Sequence, residues 1–97
     1  MNVNSLEDVR HNIDRIDRQI IKLLGERQAF VQHAAQFKKS ADDVKAPARV
    51  EAVIAKVRNL APQHNLDPNI AEAIYRTMID CFIKSELNDF QYKNKLR

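Results

Sequence analysis

From Leu6 to about Lys39 the chain carries one helical pattern, and its length limits what the chain can fold into. Apolar residues recur at Leu6, Val9, Ile13, Ile16, Ile20, Leu23, Leu24, Val31 and Ala34, the three-to-four spacing of one helix face. Asn4 or Ser5 offers an N-cap, and Glu7 and Asp8 suit the positive end of the helix dipole. A helix of roughly 35 residues is about 52 Å long at 1.5 Å per residue. A compact domain of this size has a radius of gyration of only about 13 Å, so the ~60 residues left over cannot cover it. The pattern therefore predicts that a second subunit covers the rest.

The remainder also reads as helix. The chain has 97 residues, with one Gly and three Pro. That length suits one domain, 1–97, and so few breakers argue against a turn-rich β fold. A loop is expected over Ser40–Pro47. A second helix follows from about Ala48 to Ala61, with Val50, Val53, Ile54, Val57 and Leu60 inward and Pro62 ending or kinking it. Gln63–Leu66 reads as a turn. Asp67-Pro68 is an N-cap followed by proline at the first helical position. The third helix should run from Pro68 to about Tyr92. It is apolar on two sides: Ile70, Ile74, Met78 and Cys81 on one, Tyr75, Ile79, Phe82, Ile83 and Phe90 on the other. The expected fold is all-α, with three helices per chain and a very long first one.

Sixteen cations against 13 anions give a net charge of +3 and a pI near 9.2. This permits nucleic acid or a small anion as partner and decides neither. Cys81 is the sole cysteine, so no intrachain disulfide forms and a reducing compartment fits. The opening residues hold no apolar run and no segment approaches a membrane span, so neither a signal peptide nor membrane association is expected. The default expectation is a cytoplasmic protein.

Two cations sit where apolar residues belong. At about 100° per residue with Ile13 at zero, Arg27 falls near −40° and Lys38 near −20°, inside the stripe that holds Ile16, Ile20, Leu23, Leu24 and Val31. Burying an unpaired charge is costly, so each needs a counter-charge. On one helix their Cα atoms would be ~16 Å apart, close enough for two long side chains to grip one small ligand. Solvated heads on buried stems, or pairing with Glu86 and Asp17, would explain them equally simply. Arg10 lies at the stripe's margin, about 25 Å from Arg27 along a straight helix. It cannot reach the same small ligand in cis, but in an antiparallel dimer it could reach the partner's site. Arg49 in the first turn of the second helix opposes the helix dipole, so an anion should compensate it, a loop Asp or a ligand. Glu86 falls beside Tyr75, Ile79 and Phe82, where a carboxyl is either paired with a cation or protonated.

His11, His33 and His64 show no ligand spacing, so no metal site is expected. No Ser-His-Asp or Cys-His arrangement is visible. A basic helical binding module remains an alternative, but a phosphate-binding face needs its cations exposed and together. Here the exposed faces mix signs, as in Asp14, Arg15, Arg18 and Lys22. Only Lys93 to Arg97 forms a basic cluster. No nucleic-acid partner is expected.

The segment VRHNIDRIDRQIIKLLGERQAFVQHAAQFKKS resembles the first helix of the all-helical (type II) chorismate mutase family. The shared pattern is an early Arg, then Ile-Asp, then Leu-Leu, then Arg, then a Val and a Lys. Here these are Arg10, Ile16-Asp17, Leu23-Leu24, Arg27, Val31 and Lys38. APARV and the later NLD extend the likeness over nearly the whole chain. The resemblance implies an intertwined homodimer with two sites. Each would use Arg27, Lys38, Arg49 and Glu86 of one chain with Arg10 of the other. It implies a dicarboxylate substrate and no cofactor.

The implied reaction, chorismate to prephenate, is a pericyclic rearrangement. It needs no proton abstraction and no covalent intermediate, which fits the lack of a visible nucleophile. Such an enzyme holds a flexible dianion in its reactive shape and stabilises negative charge developing on the ether oxygen. By resemblance, Arg10 and Arg27 would bind carboxylates, Lys38 would donate to the ether oxygen and a carboxylate, and Arg49 would add positive potential. Glu86 would donate to the ether oxygen from the other side. Two positions depart from the pattern. Many relatives have Gln where Glu86 stands; an ionised Glu would repel the substrate, so it should act protonated, kept so by burial. Mutases of the family often have Glu after the Arg of the second helix, where this chain has Val50. Arg49-Val50 resembles instead the related isochorismate–pyruvate lyases, which form salicylate and pyruvate. The expectation is the mutase, with the lyase as alternative and a mutase acting on 4-amino-4-deoxychorismate as a lesser one.

Overall fold

The computed structural model describes residues 3–95, with side chains through residue 91. Among them it is all-helical, without strands. Helix α1 spans Leu6–Ala35, α2 Ala41–Lys45, α3 Pro47–Leu60 and α4 Pro68–Lys95, with a 3₁₀ turn over Ala61–His64. The chain divides into two units, Met1–Ala34 and Ala35–Arg97. Among the described residues no helix is long and apolar enough to cross a membrane.

The first unit is α1. Ser5 caps it, its Oγ accepting the Asp8 N–H at 3.1 Å while an Asp8 carboxylate oxygen accepts the Asn4 N–H at 3.1 Å. This reciprocal cap satisfies two donors at the helix start. The apolar stripe is present, yet α1 has no buried residue. Leu6 and Leu23 are 63% and 60% exposed, and Ile13, Ile16 and Ile20 are close to half exposed. Fully burying one such side chain is worth about 1.5–3 kcal/mol, so this helix carries a large unsatisfied apolar surface.

Helix α1 stops at Ala35, four residues before the expected Lys39. The Lys38 N–H bonds the Ala35 carbonyl at 3.1 Å, closing a tight turn. The next donor, Lys39 N–H, goes to the Asp43 carboxylate at 3.0 Å, and Ser40 caps a new helix by accepting the Asp43 N–H at 3.2 Å. Side chains that offer backbone donors an alternative end a helix whatever its apolar period. The expected loop Ser40–Pro47 thus contains α2, with Val44, 3% exposed, buried as α2 packs on α4. Ala46 ends α2 and begins α3 in a left-handed conformation, φ 39°, giving its N–H to the Asp42 carbonyl at 2.9 Å. An L-residue there costs about 1 kcal/mol.

Pro47 starts α3, and the 3₁₀ turn starts at Ala61 with Pro62 in its first turn, so the expected turn over Gln63–Leu66 begins earlier. Asn65, at φ 58°, turns the chain back, a conformation Asn tolerates. The Asp67 carboxylate accepts the Asn69 N–H at 2.8 Å and caps α4. Helices α3 and α4 pack on each other through Val53, Ile54, Val57, Ala61, Ala71 and Ile79, with Val50, Tyr75 and Ile83 against them. Of the two apolar sides expected on α4, this core takes one. On the other, Ile70 and Ile74 are about half exposed and Cys81 is exposed.

An ion-pair network ties α3 to α4. Arg76 grips Glu51 with both terminal nitrogens at 2.9 Å and Glu72 through Nε at 2.7 Å. Arg58 reaches Glu72 at 2.8 Å. Hydrogen bonds from Arg76 hold both carboxyls below their ordinary value of 4.5. Both groups bind protons less readily folded than unfolded. Their contribution is fully present above the ordinary carboxylate range and is lost as pH falls through the lowered values. The pairs are solvent-exposed, so the effect is small and screened by salt. Melting curves taken between pH 7 and pH 3 should show a shallower acid-side loss for Arg76→Ala than for the unmodified chain. Parallel acid limbs would rule the network out as a source of acid sensitivity.

Candidate active site

Of the ion pairs among the described residues, the least exposed joins Lys38 to Glu86 inside the second unit. Glu86 lies on α4 seven residues after Ile79 and three after Ile83, so helical periodicity places it on the core-facing side. Its side chain is only 10% exposed. Lys38, on the short link between α1 and α2, has a side chain 23% exposed, with Nζ donating to Glu86 Oε2 at 3.3 Å. Each compensates the charge the other brings into a poorly solvated place. The pairing expected for Glu86 is therefore present. The route to it differs from the helical wheel: Lys38 is not on α1, and its angle relative to Arg27 has no meaning past Ala35.

Arg27 does lie on α1. The less exposed positions of that helix's second half are Leu24, Arg27, Val31 and Ala35, a three-to-four spacing, so Arg27 is half-buried within the apolar stripe. Arg10 is exposed, more than half the helix away. Arg49 is exposed in the first turn of α3, which holds no acidic residue. Among the described residues it makes no ion pair. Of the two loop aspartates that could compensate it, Asp43 accepts the Lys39 amide, and among the described residues neither Asp42 nor Asp43 pairs with Arg49. Val50 is half-buried against the α3–α4 core, so its methyl groups serve packing.

The second unit thus brings Lys38 and Glu86 together and places Arg49 and Val50 at the start of α3. Arg10 and Arg27 belong to the other unit. Ser40 and Asp43, which shape the backbone beside Lys38, were not among the expected site residues, although Ser40-x-x-Asp43 is a readable capping signature. No group of His, Cys, Asp and Glu among the described residues could hold a metal ion. The basic cluster Lys93 to Arg97 lies outside the residues whose side chains are described.

A half-buried ammonium facing a carboxyl, with arginines nearby in sequence and no nucleophile between them, suits binding and electrostatic stabilisation of an anion. The family model "Chorismate mutase type II" matches residues 9–87. A chorismate mutase of Methanocaldococcus jannaschii is 31% identical over 96% of this chain and 98% of its own length. An isochorismate pyruvate lyase of Pseudomonas aeruginosa is 34% identical over 84% of this chain and 81% of its own. A bifunctional chorismate mutase/prephenate dehydratase of Buchnera aphidicola is 29% identical over 96% of this chain and 25% of its own length.

Proposed function

This chain belongs to the chorismate mutase type II family, and from that premise we propose that it is a homodimeric mutase that rearranges chorismate to prephenate. The observation that carries the reading is the Lys38–Glu86 contact at 3.3 Å. The family resemblance assigns these two residues to the ether oxygen, and the fold brings them together from segments 48 positions apart. In the proposed mechanism Arg27 and the partner's Arg10 take the two carboxylates, and Lys38 meets the ether oxygen. Arg49 adds positive potential, and protonated Glu86 donates to the ether oxygen from the opposite side. Substrate oxygens would replace the partner that Lys38 and Glu86 each now have. No proton need leave the substrate, so the site works by orientation and charge.

The second subunit is supported by α1. Its exposed stripe of Leu6, Ile13, Ile16, Ile20 and Leu23 is the kind of surface that association buries. On α4, Ile70 and Ile74 are exposed as well.

The lyase is the second reading. It is favoured by Val50, which supplies no carboxylate beside Arg49, and by the likeness to the P. aeruginosa enzyme. The mutase is preferred because the M. jannaschii relative matches end to end. Product analysis after separate incubation with chorismate and isochorismate decides between them. Prephenate from chorismate as the faster reaction is expected. Faster release of salicylate with pyruvate from isochorismate would make the chain a lyase, and no turnover of either would overturn both readings.

A further inference from the structure

The functional reading needs Lys38 held in place, yet Lys38 sits on a link between helices, not within one. A lysine has four side-chain torsions, and an unfixed backbone would spread its ammonium over several positions. We propose that Ser40 and Asp43 are positioning residues for Lys38. They form a bracket that fixes the backbone from which its ammonium reaches Glu86. The inference rests on the role given to Lys38 above.

The bracket has three parts. Asp43 Oδ2 accepts the N–H of Lys39, the residue after Lys38, at 3.0 Å. Ser40, in extended conformation at φ −145° and ψ 166°, accepts the Asp43 N–H on its Oγ at 3.2 Å, and its carbonyl accepts the Val44 N–H at 3.2 Å. Val44, 3% exposed, then seats α2 on α4, the helix that carries Glu86. The backbone beside Lys38 is thereby tied to the element holding its ionic partner. On its other side the link has one hydrogen bond, from Lys38 N–H to the Ala35 carbonyl. Because α2 is only five residues long, its cap is a large part of what holds it helical. Neither Ser40 nor Asp43 touches Glu86 or need touch substrate; both act through Lys38.

The test is a double-mutant cycle with a structural readout that does not depend on turnover. Misplacing a catalytic group by about 1 Å can cost up to 10²-fold, so Asp43→Ala should lower kcat about tenfold with KM little changed. Asp43→Asn keeps an acceptor oxygen and should recover most of that loss. In a Lys38→Ala background, Asp43→Ala should change kcat no further, because its effect passes through Lys38. Amide hydrogen exchange should show the Lys39 N–H protected in the unmodified chain and fast in Asp43→Ala. A kcat within twofold of the unmodified enzyme in Asp43→Ala would overturn the proposal. So would an equal loss in the Lys38→Ala background, as general destabilisation would give. If the unmodified chain turns over neither substrate, the functional reading fails, and the exchange experiment still judges the bracket: an unprotected Lys39 amide refutes it.

Discussion

Arg27→Ala should lower kcat/KM on chorismate by about 10³-fold while leaving the helical circular-dichroism signal intact. A guanidinium can meet a carboxylate through two parallel charge-assisted hydrogen bonds. Hydrogen bonds to charged groups contribute about 1.5–3 kcal/mol each, so two lost together amount to about 4 kcal/mol. At 1.36 kcal/mol per factor of ten, that is about three orders of magnitude. The half-buried position of Arg27 in the stripe of α1 favours the upper end, because poor solvation strengthens charge interactions. Arg27→Lys should restore only part of the loss, since an ammonium keeps the charge and not the fork. Steady-state kinetics on the three proteins checks this. Turnover unaffected by Arg27→Ala would remove Arg27 from the site.

The second large effect is expected at Lys38. Removing one donor to a developing oxyanion costs about 10²–10³-fold in kcat, and Lys38→Ala should fall in that range. It should also lower stability, because Glu86, with its side chain 10% exposed, is left without its ion-pair partner. Breaking a fully buried pair costs about 3–5 kcal/mol. With Lys38 23% exposed, about 1–2 kcal/mol is the better expectation. Glu86→Gln separates charge from hydrogen bonding. The amide keeps a hydrogen-bond donor where the carboxyl stands, so Glu86→Gln should retain most of the activity that Glu86→Ala loses. Full activity of Glu86→Ala would take Glu86 out of the mechanism, and full activity of Lys38→Ala would do the same for Lys38.

Much of the architecture is legible in the residues. The α1 stripe, the Asp67-Pro68 start and the Pro47 and Pro62 boundaries follow from periodicity and capping, which act locally. The end of α1 does not follow from periodicity, because the apolar pattern runs past Ala35 and gives no sign of where it stops. The decision lies in competing hydrogen bonds, with Asp43 taking the Lys39 N–H that a continuing helix would need and Ser40 capping a new helix. Five residues are too few to show a period, so α2 stays hidden unless Ser40-x-x-Asp43 is read as a cap. The helical wheel that marks Lys38 does not extend to it, since α1 ends at Ala35. What brings it to Glu86 is tertiary, the packing of α2 on α4. Glu86 itself was readable, since a carboxyl on an apolar helix side requires a cation or a proton.

The central claim is a dianion site completed across a dimer, and chain complementation tests it most directly. Arg10→Ala and Arg27→Ala chains should each be nearly inactive on their own. Mixed during refolding, random pairing puts about half the chains in mixed dimers, and in each of these one of the two sites holds both arginines. Activity should return to about a quarter of the unmodified level. A mixture no more active than the sum of its two components would contradict the shared site.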